Sequence, residues 1–290
     1  MKTVDKTRKE LTLSHSSANL LRGCEQKYVF YKVKGIDKDE DFDDNQEHFN
    51  VGKAVHFILE ESLHVWDKEK FFELVDLAAS HFDCEHRKEL IAAMAFKGLQ
   101  IHKKEKLHTV HCEFKIQTEH TLGYVDLIAC DDDKNWWIID LKTSKKLSEL
   151  TISKLKNDYQ LNLYAAHIKL IAKGLGLDPK KFMGCRYRVI TKSTAKMSAK
   201  EGIEGYMKRV LAKNWIKGYE IIIPKEDMNP DEVLKSHREL WRRAKKLHEG
   251  SKAKCDYAHC SSFFRACEYY SQCHGDTYTN LLHELVINEH

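Results

Sequence analysis

The sequence predicts an α/β protein: a mixed central β-sheet flanked by helices, with a helical N-terminal extension and a cysteine-rich C-terminal segment. Three observations predict it. Apolar residues recur at helical spacing up to about Lys106. From His108 the pattern changes to alternation in three closely spaced runs. A helical stretch then precedes a further strand-like run, and four cysteines crowd the C-terminal end.

The elements follow in order. Ser14 can cap a helix running to about Tyr31, with Leu20, Leu21, Cys24 and Tyr28 on helical spacing. An acidic loop, Asp37 to Glu47, follows. From Glu47 to Trp66, Val51, Val55, Ile58, Leu59 and Leu63 form an apolar helical face. Lys68 to Phe82 and His86 to Lys106 are two more helices. His108–Gln117, Thr121–Cys130 and Trp136–Leu141 read as strands, the last two joined by an Asp131–Asp133 turn. A helix is expected from Leu155 to Lys173, closed by Gly174. Lys181–Thr191 reads as a fourth strand and Gly218–Pro224 as a fifth. Asn229 opens a helix with Pro230 at its first position, running to Glu249. The cysteine-rich tail and a short final helix complete the chain, and there is no internal repeat.

Hydrophobic residues make up 42% of the chain and charged residues 32%, a globular balance without a disorder signature. With only 3 prolines in 290 residues, Pro-rich linkers are absent and one unit spanning 1–290 is expected. Its parts are a helical extension (1–107), a sheet-bearing core (108–224) and a C-terminal helix with the cysteine segment (225–290). No run approaches the length of a membrane span, and the N-terminus has no apolar signal region, so a cytoplasmic location is expected. The net charge of +4 permits nucleic-acid binding without demanding it. The basic residues between Lys235 and Lys254, including Arg238, Arg242 and Arg243, read by themselves as a solvated helix face.

The chemistry concentrates at Gly123-Tyr-Val-Asp126 and, fourteen residues beyond that aspartate, Asp140-Leu-Lys142. Strand alternation sends Asp140 and Lys142 to one face, shared with Ile138, and Leu141 with Ile139 to the other. Antiparallel pairing through the intervening turn would bring Asp126 beside Asp140. Two such carboxylates repel unless a cation neutralises them, and Mg²⁺ or Mn²⁺ suits oxygen ligands. A lysine two residues on can position or activate water against a phosphodiester. An Asp-x-Lys pattern alone is more often a surface ion pair. Here it ends a very apolar strand, where an unpaired charge is expensive.

With these residues the chain resembles the PD-(D/E)XK nuclease superfamily, and within it the RecB-type branch. That branch contains the nuclease domains of RecB and AddB, CRISPR-associated adaptation exonucleases and many phage exonucleases. Three further features carry the resemblance: Gly52-x-x-x-His56 on a helix before the sheet, Glu113 on the first strand, and Tyr159-Gln160-Leu161-x-x-Tyr164 on the helix after the catalytic strand. The resemblance implies a restriction-endonuclease-like core and a Mg²⁺- or Mn²⁺-dependent DNA nuclease acting on DNA ends, with single strands preferred. Asp126 and Asp140 would hold the metal, with the Leu141 carbonyl as an extra ligand and His56 and Glu113 as secondary candidates. Lys142 would act on water, while Gln160 and Tyr164, i and i+4 on one helix face, would support the scissile region. A recombination, helicase or CRISPR partner protein is compatible with it. Two readings from other classes stand beside it: a DNA-binding module that has lost catalysis, and a structural subunit of a helicase–nuclease machine. Retention of Asp126, Asp140 and Lys142 counts against the first. No GxxxxGK[ST] loop occurs, so any motor would be another chain.

The nine cysteines of a cytoplasmic-looking chain point away from disulfides. Cys84, Cys112, Cys130 and Cys185 lie singly among apolar neighbours and read as core residues. In part of the resembled branch a four-iron, four-sulfur cluster joins the chain ends. Cys24, Cys260, Cys267 and Cys273 match its pattern, with Phe263, Phe264, Tyr269 and Tyr270 as an aromatic shell and Cys255 surplus. The alternative is Zn²⁺ on Cys255, Cys260, Cys267 and Cys273, with His259 and His274 nearby, which leaves Cys24 unexplained.

Overall fold

Trp136, Ile138, Ile139 and Leu141 are all buried, although they belong to one strand and point alternately to opposite sides. A strand apolar on both faces must be covered on both faces, and the fold is organised around that requirement. A computed structural model describes residues 11–36, 46–64, 66–256, 260–262 and 265–274. The chain forms two compact units: one comprises Met1–Asp44, Gln117–Leu122 and Lys235–His290, the other Asn45–Ile116 and Gly123–Leu234.

The larger unit carries a five-stranded sheet in the order β1 (His108–Gln117), β2 (Leu122–Cys130), β3 (Trp136–Ser144), β4 (Phe182–Thr191), β5 (Gly218–Pro224). β2 and β3 are antiparallel, β3 and β4 parallel, and β4 and β5 antiparallel, so the expected mixed sheet is present. The parallel step needs a crossover, and three short helices supply it. On one face Leu127, Ala129, Ile139, Leu141 and Ile190 pack with Val55, Ile58 and Leu59 of α3 (Gln46–Ser62), Val75 of α4 (Lys68–His81) and Ile91 and Met94 of α5 (Lys88–Lys104). On the other, Val125, Ile128, Ile138, Tyr187 and Val189 pack with Leu161, Tyr164 and Ile171 of the crossover. α4 starts where the Asp67 side chain accepts the Lys70 N–H.

The structure corrects the single helix expected from Leu155 to Lys173. It is three helices, α6 (Glu149–Lys156), α7 (Tyr159–Ala165) and α8 (Ile168–Leu175). Asp158 stops the first and caps the second, its side chain accepting the Gln160 N–H at 2.9 Å. Gly174 lies inside α8, and Gly176, in the left-handed region, closes it. A helix that the sequence pattern does not announce, α9 (Ile203–Ala212), packs Tyr206, Met207 and Val210 into the first core.

In the smaller unit, Ser14 caps α1 (His15–Gly23) as expected, its hydroxyl accepting the Ser17 N–H at 3.2 Å. The helix does not run unbroken to Tyr31. Cys24 is extended (φ −160°, ψ 120°), a second short helix α2 (Glu25–Tyr28) follows, and a π turn covers Val29–Val33. α10 (Pro230–His248) returns the chain, and a two-strand ribbon, β6 (Ser261–Ser262) and β7 (Arg265–Ala266), precedes α11 (Tyr270–His274). Arg243 on α10 donates from Nε (2.6 Å) and Nη2 (2.5 Å) to the two carboxylate oxygens of Glu25. Lys27 pairs with Glu268 at 2.6 Å. Most of the acidic loop (37–45) and the short final helix expected after the cysteines (275–290) fall outside the described residues. Among the described residues no helix is long and apolar enough to cross a membrane.

Candidate active site

β2 and β3 pair from Cys130↔Trp136 to Leu127↔Ile139, and Asp126 and Asp140 are the residues immediately beyond that last pair. There the ladder is replaced by a side chain: Asp126 Oδ2 accepts the Leu141 N–H at 2.7 Å. The same carboxylate oxygen lies 3.6 Å from Nδ1 of His56 on α3. Asp140 is only 1% exposed. Its Oδ2 stands 2.7 Å from Lys142 Nζ, and its buried Oδ1 makes no hydrogen bond. Lys142 Nζ donates to Gln160 Oε1 at 3.1 Å, and Gln160 Nε2 to the Tyr164 hydroxyl at 3.0 Å. Asp126, Asp140, Lys142, His56, Gln160 and Tyr164 are thus one connected constellation.

Two glycines make the approaches possible. A Cβ on Gly123 would lie 2.9 Å from Tyr164 Cε1, so only glycine lets that ring lie on β2. A Cβ on Gly52 would lie 3.0 Å from Thr143 Oγ1, so glycine lets α3 sit close to β3. Glu113 completes the acidic side of the site from β1. Its backbone is left-handed (φ 53°), a conformation that costs energy in a non-glycine residue and departs from regular strand geometry.

The carboxylates are crowded. Burial, and then the charges of Asp126, Glu60 and Asp140, push Glu113 up to about 7. Burial raises Asp126 above the usual aspartate range against the pull of the Leu141 amide. Burial and then Asp126 raise Asp140 in the same sense, with Lys142 opposing. Burial would lower the Lys142 ammonium, but Asp140 and Asp126 outweigh it and hold its pKa above the ordinary value. Removal from water takes His56 down to about 4, so it stands neutral with a lone pair free to ligate. An orphaned carboxylate oxygen beside mutually repelling acids and a neutral imidazole fits a divalent cation. Asp126 accepts from the Leu141 amide and Asp140 pairs with Lys142. Among the described residues, the trio of potential ligands gathered within 4.8 Å is elsewhere, at Cys255, Cys273 and His274.

A family profile described as the PD-(D/E)XK nuclease superfamily matches residues 12–274. The chain belongs to the PD-(D/E)XK nuclease superfamily. Asp140-Leu141-Lys142 has the form of the (D/E)XK in that name. Among solved structures the chain is similar to SSO0001, at 15% identity and a TM-score of 0.28 over 68% of this chain and 74% of that one. It is also similar to a phage-related exonuclease from Haemophilus somnus 129PT, at 13% identity and a TM-score of 0.30 over 83% and 95%. No curated protein matches it.

Three residues around this superfamily site were not singled out from sequence. Glu60, one turn beyond His56, adds a fourth acid that acts on Asp126 and Glu113. Asp158 accepts from the Tyr187 hydroxyl at 2.7 Å, and the Tyr187 ring centroid lies 5.7 Å from Lys142 Nζ. The i,i+4 spacing of His56 and Glu60 was a signal for the first. Asn157-Asp158, poor helix formers before Tyr159, was the signal for the second.

The smaller unit holds the second cluster. All nine cysteines are free thiols, and Cys84, Cys112, Cys130 and Cys185 are buried as expected. Cys255 does not stand apart: its sulfur lies 3.8 Å from that of Cys260 and shares the close trio with Cys273 and His274. Cys24, at the break between α1 and α2, joins them. Burial, then Cys255, Cys24 and Cys267, push the Cys273 thiol up to about 11. Cys260 is pushed to about 12 by burial and by Cys255, with Cys267 and Cys273 adding to it. The ribbon β6–β7 holds Cys260 and Cys267 at its base, the Cys267 N–H donating to the Cys260 carbonyl at 2.8 Å. Tyr269 is buried and packs at 5.9 Å against Phe30, while Phe263, Phe264 and His259 fall outside the described residues. Thiols concentrated in this way fit a thiophilic metal centre.

Proposed function

We propose that this nuclease is a Mg²⁺- or Mn²⁺-dependent deoxyribonuclease of the RecB/AddB type that hydrolyses phosphodiesters at DNA ends or in single strands. The observation that carries the reading is the buried Asp140 carboxylate, with an unbonded oxygen, set between Asp126 and the Lys142 ammonium.

Asp126, Asp140 and the Leu141 carbonyl would hold the metal, with His56 and Glu113 as additional ligands. A bound divalent ion supplies Lewis acidity and lowers the pKa of water. The protein's own groups do the rest. The Asp126 bond to the Leu141 N–H fixes the direction of the Leu141 peptide. Lys142, held as a cation, orients water and offsets charge on a phosphate oxygen. Gln160 holds the ammonium on the substrate side, and Tyr164 fixes Gln160 in turn.

The thiol group is a structural staple, with Cys24, Cys260, Cys267 and Cys273 as ligands of a four-iron, four-sulfur cluster in a reducing cytoplasm. Its support is the presence of Cys24 among the tail thiols, which a local site would not require. The zinc reading is favoured by a different observation, the compact Cys255, Cys273 and His274 trio. An iron and zinc assay with an absorption spectrum of anaerobically purified protein decides between them.

The catalytic assignment is tested with end-labelled DNA and Mn²⁺ or Mg²⁺. Lys142→Ala and Asp140→Ala are expected to lose cleavage by roughly 10²–10³-fold or more while retaining DNA binding. Equal cleavage by both variants and the parent protein refutes the assigned centre.

A further inference from the structure

Beside the catalytic constellation, within the larger unit, lies a groove of about 820 Å³ between α3 and the C-terminal end of β3. Its floor is apolar, with Phe57 and Phe82 edge to face at 6.2 Å. Its rim is cationic: Lys53, Lys142, Lys145 and Lys192 line it, with Glu60 the one acid among the described lining residues. One stripe of α3 runs along it, Phe49, Lys53, His56 and Glu60, spaced by three or four residues. The acidic end of that stripe belongs to the chemistry. The other end, about 16 Å away along the helix, is Phe49.

Phe49 is 65% exposed, an unusual cost for a phenyl ring on the first turns of a helix. Lys53 Nζ lies 5.0 Å from its ring centroid. Lys192 Nζ donates to the His48 carbonyl at 2.7 Å. Burial and then the neighbouring Lys145 hold its pKa below the ordinary lysine value. Glu47, which acts on Lys192, is itself engaged by Arg87 and His86. Among the described residues neither Lys145 nor Lys192 forms an ion pair with a carboxylate, and two neighbouring ammoniums in that state are poised for an external anion. An exposed aromatic face one helical stretch from the site of phosphodiester chemistry is poised for a base.

We propose that this groove seats the nucleotide adjoining the scissile phosphate as single-stranded DNA, its base stacked on Phe49 and its phosphate between Lys145 and Lys192. The proposal rests on the nuclease reading and specifies how the substrate is held. Stacking on a side chain needs a free base face, which a single strand offers and an intact duplex withholds inside its own stack. The close passage of α3 over Thr143 at Gly52 narrows the floor in the same sense. Positive charge on both sides of an apolar floor complements a strand whose bases are turned inward and whose phosphates line its edge.

The test uses the full chain and fluorescent oligonucleotides, single-stranded and blunt duplex. Binding is read by anisotropy in EDTA, and cleavage separately with Mn²⁺. Phe49→Ala should weaken single-strand binding about tenfold, with duplex binding changed less than about twofold. Phe49→Tyr should restore it. Lys145→Gln with Lys192→Gln should weaken binding and reduce the slope of log affinity against log salt by about 0.7, the worth of one neutralised phosphate on a single strand. Phe49 is exposed, so its variants fold, and a thermal melt checks the double variant. If Phe49→Ala and the double variant bind single strands as the parent does, the groove proposal is overturned, while loss of cleavage in Lys142→Ala leaves the nuclease reading standing. If the binding effects appear but no protein cleaves with Mn²⁺ or Mg²⁺, the groove assignment holds and the deoxyribonuclease reading falls.

Discussion

The two side-chain clusters suited to metals are built in opposite ways. In the larger unit, hard oxygen donors are set by the register of one strand pair, with Asp126 and Asp140 meeting across fourteen residues of chain. In the smaller unit, soft thiols come from the two chain ends, Cys24 meeting Cys267 and Cys273 across more than two hundred residues. The first site is preassembled by a sheet buried on both faces. The second depends on a few ties, among them the Arg243–Glu25 fork and the Lys27–Glu268 pair. A ligand set held by a sheet is suited to chemistry. One gathered from distant segments is suited to hold those segments together, and a metal bound there would contribute to folding.

The largest effect should come from breaking the second cluster. Cys267→Ser is expected to lower the melting temperature by about 10 °C or more and to lose iron or zinc from the purified protein. Cys255→Ser sharpens the comparison. Retained metal supports the four-cysteine cluster with Cys255 outside it, and lost metal supports the local zinc set.

A smaller effect tests the sheet-built site. Gly123→Ala drives a methyl group toward the Tyr164 ring, and should cost about 1–3 kcal/mol in denaturant unfolding. It should also lower the cleavage rate by loosening the Tyr164–Gln160–Lys142 chain. Unchanged stability and rate would mean that the close approach carries no weight.

The smallest effect is in pH. Glu113, Asp126 and Asp140 have folded pKa values raised above their ordinary ones, so the unfolded chain gives up these protons first. Their penalty on the metal-free fold therefore grows as pH rises, continuing through about 7 for Glu113. His56, lowered from 6.5 to about 4, acts in the opposite direction, but only below its ordinary value. Between pH 6.5 and 8 in EDTA the melting temperature should fall by a few degrees, and Mn²⁺ should flatten that fall. A melting temperature that rises over this window without metal would contradict the crowding of the carboxylates.

Much of the larger unit was legible because its signals are local. Alternation in HTVHCEFKIQ and WWIIDL placed the strands, and the spacing of Asp126, Asp140 and Lys142 announced that these side chains would be neighbours. The misplaced elements have equally physical causes. Helical spacing continues across Asn157-Asp158, so periodicity alone merged α6, α7 and α8, and only the cap at Asp158 divides them. α9 has a Gly at its N-cap without a side-chain hydrogen bond and so lacks the usual start signal; burial of Tyr206 and Val210 secures it. The break at Cys24 left no trace in the apolar pattern, because Leu20, Leu21 and Tyr28 are spaced as if the helix were continuous.

By itself the sequence determined the fold class, the pairing of two aspartates near one turn and the company of a lysine, because hydrophobic period and short-range spacing are properties of adjacent residues. Only the tertiary structure decided that α3 would bring His56 and Glu60 to that pair, that Asp140 would be left with an unbonded oxygen, and that Cys255 would join the thiols. Those outcomes depend on how faces pack and which polar atoms lose water, and no stretch of chain specifies either until its distant neighbours are in place.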